Sequence, residues 1–405
     1  MNIIFKIIFS FLSLIFFNSC ENLNYPDDIW NEDDIGNQKP FISSVIPVEG
    51  AFAGIDTLTI YGGNFSKVAS DNIVYFNESI GSIISSSDEI IEVVGPNLVS
   101  DSITIRIAVQ GALEFGSYNN LYKLYPAVEN YGPFDQFTDI FSLDLDGEEN
   151  LIVSLDGAPN AEFWMVDTDQ DSSVWSGSLS KGSGMKLGPD ESIYFVNYQR
   201  FLYKDEQGTE KENSEIFKRL NGNATDLDFD SYGNLYVGGN GSLIDVVDIQ
   251  DNDGLSSGVT QVVDLDSLDI VAMKVFTDFL YILTNNNSFD QAIYRMEILN
   301  SEGSLGEIEL VFDWSAYSNN QFSALCFTLD HQGNIYIGSD SELCPITVVE
   351  NGSARTLYPS ILSPPINYMS WGNSNYLYVI NRMSDVNRVQ RIDTRSQGTD
   401  YYGRP

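Results

Sequence analysis

A single histidine, His331, occurs in the 405 residues. That alone removes a zinc site built on His ligands, a Ser-His-Asp triad and any His-based acid–base pair. Six positions that open the innermost strand of six repeated segments read Asp139, Gly184, Asp226, Ala272, Ser323 and Asn367. Two carboxylates and an amide among them could meet on one calcium ion, but the other three are small and inert. Asp167-Thr168-Asp169-Gln170-Asp171 and Asp251-Asn252-Asp253-Gly254 space alternate carboxylates as calcium loops do. Neither completes an EF-hand, because the twelfth position counted from Asp167 is Ser178, where a bidentate Glu is required. They read as solvated hairpin turns, so no cofactor is expected, with calcium as the one alternative left open. A richer set follows: Tyr198 and Arg200, Asn240, Asn286 with Phe289, Trp314 with Tyr317, and Arg382 with Asp385. Flat rings beside amide and guanidinium donors suit a sugar, whose C–H faces stack on aromatics while its hydroxyls take directed hydrogen bonds. Singly each is ordinary loop chemistry, so the candidate site depends on their being gathered on one face.

The elements that must gather them repeat. Ile193-Tyr194-Phe195, Leu235-Tyr236-Val237, Leu280-Tyr281-Ile282, Ile335-Tyr336-Ile337 and Leu377-Tyr378-Val379 share one pattern, and Leu151-Ile152-Val153 is a sixth copy without the Tyr. From Ile152 to Tyr378 the steps are about 42, 42, 45, 55 and 42 residues, the interval at which four short strands recur in a β-propeller. In the third repeat an inner strand at Thr225–Asp230 is followed by the turn Ser231–Asn234, a second strand from Leu235, a third at Leu243–Asp248 and a fourth at Val259–Leu265. The fifth repeat matches it, with its outer strand expected at Thr356–Tyr358. Strands at this density leave no room for crossover helices, which excludes a parallel α/β domain. An all-β chain with six blades over 131–405 is expected. Loops joining second to third strands open on the same face as those leading into the next blade. The central Tyr of each second strand, and Trp371, should pack between blades.

The recurring Asp-x-x-Gly-Asn-Leu/Ile-Tyr-Val/Ile resembles the NHL and YWTD-type six-bladed propellers, and repeats one, four and six depart from it. Upstream, 40–126 reads as a small β-sandwich with strands at Phe41–Ile46, Thr57–Tyr61, Asn72–Phe76, Ile90–Val94 and Ile103–Val109. Its Ile42-Ser43-Ser44-Val45-Ile46-Pro47, Leu58-Thr59-Ile60-Tyr61-Gly62-Gly63-Asn64-Phe65 and Val74-Tyr75-Phe76-Asn77 resemble the IPT/TIG immunoglobulin-like domain. That resemblance implies a spacer. Gly62 and Gly63 are expected to permit a tight bend that turns Phe65 into the sandwich core.

Only 20 Lys and Arg oppose 58 Asp and Glu, and the net charge of -38 repels nucleic-acid phosphates and anionic lipid heads alike. Lys6 followed by the apolar run Ile7–Phe17 is a secretion signal over 1–19, too short to be a membrane anchor. Its end, Phe17-Asn18-Ser19-Cys20, resembles a bacterial lipobox, which implies lipidation of Cys20 and tethering to the outer membrane, facing the exterior. Residues 20–39 then form an acidic tether. Cys326 and Cys344 are expected as two reduced, buried thiols. The domain order resembles glycan-binding surface lipoproteins that work beside outer-membrane uptake channels in Bacteroidetes-type bacteria. It implies a non-catalytic protein that binds an extracellular ligand, a polysaccharide first, through the propeller loop face. A protein-interaction scaffold or adhesin is the alternative, and a propeller-type lyase or lactonase a further one.

Overall fold

Inward-facing apolar side chains at every second position, broken by turns that need left-handed backbone, give short, mostly antiparallel strands and, among the described residues, one five-residue α-helix in a computed structural model of the chain. It describes residues 36–157, 160–288, 290–385 and 388–402. The signal segment, Cys20 and most of the tether lie outside the described residues. Two compact units result. One runs to Gly50 and takes in Thr57–Pro96 and Asp101–Lys123; the other holds Ala51–Asp56, Asn97–Ser100 and everything from Leu124 onward.

In the first unit, Phe41–Ile46, Thr57–Gly63, Ile90–Val94 and Ser82–Ser86 form one sheet, and Gly116–Ser117, Ile105–Val109, Asn72–Phe76 and Ser79–Ile80 another. Val45, Leu58, Ile60 and Ile91 from the first and Val74, Phe76, Ile105 and Ile107 from the second are all fully buried. Phe65 is buried as expected. Gly62 and Gly63, however, belong to the strand, and the left-handed residue after them is Asn64, with φ of 60°. The glycines serve close approach instead: a Cβ on Gly62 would lie 1.9 Å from the Phe41 carbonyl oxygen.

The second unit contains six four-stranded antiparallel sheets, the blades. Blade 1 runs Ile140–Leu145, Leu151–Gly157, Asn160–Val166, Ser172–Ser178; blade 2 Gly184–Leu187, Ile193–Val196, Phe201–Asp205, Glu215–Arg219. Blade 3 runs Asp226–Phe229, Asn234–Gly238, Leu243–Asp248, Val259–Asp264; blade 4 Leu268–Phe276, Phe279–Asn286, Gln291–Glu297, Glu309–Asp313. Blade 5 is Ala324–Leu329, Ile335–Ser339, Ile346–Glu350, Ser353–Thr356. Its outer strand precedes the expected 356–358, because Asn351 (φ 49°) and Gly352 (φ 78°) make a two-residue turn there. Blade 6 is closed by chain from the other end: Val128–Asn130 pairs with Val389–Asp393, beside Tyr376–Ile380 and Tyr368–Trp371. That closing strand lies ahead of the expected start at 131, since three residues carry no periodicity to read.

The repeated residue of each second strand packs on the blade that follows. Tyr194 meets Leu227 and Leu235 of blade 3, Tyr236 meets Ile270 and Leu280 of blade 4, and Tyr281 meets Phe327 and Ile335 of blade 5. Tyr336 meets Trp371 and Leu377 of blade 6, Tyr378 meets Leu143 and Leu151 of blade 1, and Ile152 meets Met185 and Ile193 of blade 2. Six interfaces of one kind close the ring.

Candidate functional site

Inner strands have one edge without a neighbouring strand, so their N–H groups need acceptors from elsewhere. Carboxylates supply them from the preceding blade. Asp144 of blade 1 accepts from Leu187 N (3.0 Å) of blade 2; Asp226 and Asp228 of blade 3 accept from Met273 N (2.9 Å) and Val275 N (2.8 Å) of blade 4. Two ammonium groups stand among these three buried carboxylates. Lys274 donates to Asp226 Oδ2 at 3.1 Å, and Lys186 stands 3.6 Å from Asp144 and 3.8 Å from Asp228. Burial works against the Lys274 charge, but Asp226 and Asp228 outweigh it and hold its pKa above the ordinary lysine value. Gly184 makes room for this arrangement, since a Cβ there would lie 2.7 Å from Asp226 Oδ1. The channel axis is thus filled with paired charge.

Above the ion pairs a cavity of about 360 Å³ opens. Inner strands contribute Phe141, Asp226, Asp269, Lys274, Leu325 and Tyr368 to its wall, with Asn367 just before the inner strand of blade 6; Asn285 stands near the end of the second strand of blade 4, and the loops after second strands contribute Tyr198, Asn240 and Arg382. Arg382 is fixed: its Nε donates to Ile140 O (2.8 Å) and Nη2 to Phe141 O (2.7 Å), with the guanidinium 4.8 Å from the Phe141 ring. Its own N–H donates to Asn367 Oδ1 at 3.0 Å. Tyr198 is 55% exposed and has φ of 50°, a left-handed conformation costly for a bulky residue. Two buried acceptors on the wall, Asp226 Oδ1 and Asn285 Oδ1, have no hydrogen-bond partner. Charge on the wall balances, Arg382 and Lys274 against Asp226 and Asp269.

Of the sequence-derived set, Tyr198, Asn240 and Arg382 therefore meet at one cavity. The other described members do not line it. Arg200 donates Nε to Leu220 O at 3.3 Å and secures the edge of blade 2. Asn286 clasps its own turn, accepting from Ser288 N and Asp290 N, while its neighbour Asn285 faces the cavity. Trp314 is corrected from ligand platform to core: it is 1% exposed in the helix Trp314–Ser318, and its indole N–H donates to Phe322 O at 3.1 Å. Tyr317 packs its ring 5.4 Å from that of Trp314, again away from the cavity. Asp385 is exposed and off the wall. Phe289 lies outside the described residues. Lys274 and Tyr368 went unread because an inner-strand residue shows its direction only once the blades are assembled.

Among the described residues no three His, Cys, Asp or Glu side chains converge as a metal site would require. Asp167 caps its own turn, accepting from Asp169 N and Asp171 N, and Asp251 is engaged by Lys218, Asp253 N and Ser257. Cys326 and Cys344 are buried free thiols, and burial pushes the Cys326 thiol well above its ordinary value.

The family model for the IPT/TIG domain matches residues 40–124. Those residues are an IPT/TIG domain. Among solved structures, a Bacteroides thetaiotaomicron protein provisionally called a phosphatase is similar at 12% identity and TM-score 0.59, covering 90% of this chain and 98% of its own. An auxiliary nutrient binding protein of the same organism is similar at 13% identity and TM-score 0.53, covering 88% and 98%. A third, of unknown function, has 14% identity, TM-score 0.51 and the same coverage. No curated protein matches the sequence. At these identities the likeness shows the fold alone, and chemistry has to be argued from the site.

Proposed function

We propose that the chain is a non-catalytic bacterial surface lipoprotein that binds an extracellular polysaccharide in the cavity of its propeller, with the IPT/TIG domain as spacer. One observation carries this reading: an exposed ring (Tyr198), a fixed guanidinium (Arg382) and three amides (Asn240, Asn285, Asn367) surround a single charge-balanced cavity. Tyr198 offers a stacking face, Arg382 and the amides offer directed donors, and the balanced wall favours a neutral ligand on a chain of net charge -38. The likeness to an auxiliary nutrient binding protein supports capture rather than turnover. Lipidation at Cys20 would hold it at the outer membrane, beside an uptake channel. Affinity electrophoresis against a panel of neutral polysaccharides tests the reading. Retardation by at least one, lost in Arg382→Ala and kept in Asp385→Ala, is expected; free migration of the folded chain through every gel would refute it.

A protein partner is the second reading. Phe137 (83% exposed), Leu343 (84%) and Met383 (72%) all sit on connections that open on the cavity's face. A stoichiometric protein that co-purifies, and is released by substituting these three with Ser, would favour it over sugar.

A further inference from the structure

We propose that the cavity receives the end of a glycan chain and not a segment from its middle, an inference that rests on the polysaccharide reading above. The cavity has a floor. Tyr368 reaches from blade 6 past blade 1, its hydroxyl 3.3 Å from Met185 O of blade 2, and the Lys274 ammonium lies 5.8 Å from its ring. Beneath, Lys186 sits between Asp144 and Asp228, and the Tyr401 ring covers it at 4.1 Å, with its hydroxyl donating to Leu187 O at 3.1 Å. Paired charge and the C-terminal segment thus shut the channel, leaving one mouth.

Recognition groups lie at different depths. Tyr198 is 55% exposed at the rim, whereas Lys274 is 7% exposed at the floor, where two of its three protons go to Asp226 and Met273 O. A sugar in mid-chain is linked on both sides, so a residue reaching the floor would need both arms to leave by the same mouth. A space of about 360 Å³ is near the small end of the ~300–1,000 Å³ typical of ligand sites and suits one buried unit with a single arm better than a unit with two. A terminal unit has one arm. It can present its hydroxyls to Lys274 and Asn285 while the next unit stacks on Tyr198.

The test uses the whole chain and isothermal titration calorimetry with α-glucan, levan, xylan and mannan polymers and their matching di- to hexasaccharides. For whichever class binds, the short oligosaccharides should match the polymer per chain end within about threefold, and limited endo-hydrolysis should raise binding sites per gram in proportion to the ends created. Leu325→Trp, a half-buried wall position enlarged into the cavity, should weaken oligosaccharide binding by at least about tenfold without lowering the melting temperature. Sites per gram unchanged by endo-hydrolysis, or oligosaccharides more than about tenfold weaker than polymer, would overturn end-on capture while leaving the polysaccharide reading intact. Binding to none of the four classes would overturn both. Should Leu325→Trp misfold, the endo-hydrolysis titration of the unaltered chain still decides.

Discussion

The turns joining first to second strands and the loops joining second to third strands lie at opposite ends of the same sheets, and they are built on opposite plans. At the first end one clasp recurs. Asp230 accepts from the backbone of Tyr232 and Asn234 and from the Asn234 amide, and Asp330 does the same for Gln332 and Asn334. Asp146 repeats it with Glu148 and Asn150, so blade 1, whose sequence departs from the motif, keeps the device. Its left-handed position is Glu149 (φ 69°) where blades 3 and 5 have Gly233 and Gly333. At the cavity end no such clasp recurs: Tyr198, Asn240, Asn285 and Arg382 stand at or just past the ends of second strands and present a phenol, two amides and a guanidinium. Repetition maintains the ring, and its absence builds the site.

This contrast can be broken by separating stability from binding. Trp314→Ala should cost the most, about 3–5 kcal/mol by urea denaturation, because it empties a core site beneath the loops and removes nothing from the cavity wall. Polysaccharide affinity of the folded fraction should be unchanged; a selective loss of affinity would return Trp314 to the site. Asp230→Ala should cost about 2–3 kcal/mol in the same assay, since it strands two backbone N–H groups and leaves the buried Tyr236 hydroxyl without its acceptor. An equal loss in Asp146→Ala would establish that the clasp, not the Gly, is what the repeat preserves.

Tyr198→Gly sharpens the comparison from the other side. It should raise stability by up to about 1 kcal/mol by relieving a left-handed bulky residue, while weakening glycan binding about tenfold. A loss of stability would mean that the ring is held for packing and not for ligand. The smallest expected effect concerns Asp205, buried beside Ser214 and Ser178 in blade 2, whose carboxyl burial pushes above its ordinary 3.8. Folding then favours the protonated form, so its contribution is full below pH 3.8 and is lost as pH rises through the raised value. Asp205→Asn should therefore melt about 2 °C higher at pH 7, with the gain fading as pH falls through the raised value and gone below pH 3.8, as differential scanning calorimetry would record.

How much was legible follows from the same division. The six-blade count and the packing of each second-strand Tyr on the next blade were readable, because a recurring residue in a recurring environment leaves a period. Val128–Asn130 was not, since its role depends on a partner strand some 260 residues later. Among site residues, Tyr198, Asn240 and Arg382 were reachable from loop position alone. Trp314 was misread, because a large ring in a loop-like stretch can turn either way and a five-residue helix with Asp313 as its N-cap turns this one inward.

By itself the sequence determined the IPT/TIG domain, the repeating four-strand unit and the exclusion of histidine chemistry, all of which depend on residue type and local spacing. Only the tertiary structure decided that the channel is closed by Asp144, Lys186, Asp226, Asp228 and Lys274, and that an arginine after the second strand of blade 6 shares a cavity with a tyrosine after the second strand of blade 2. The physical reason is ring closure: it brings side chains from distant blades to one axis, and their proximity has no counterpart in the linear order of the chain.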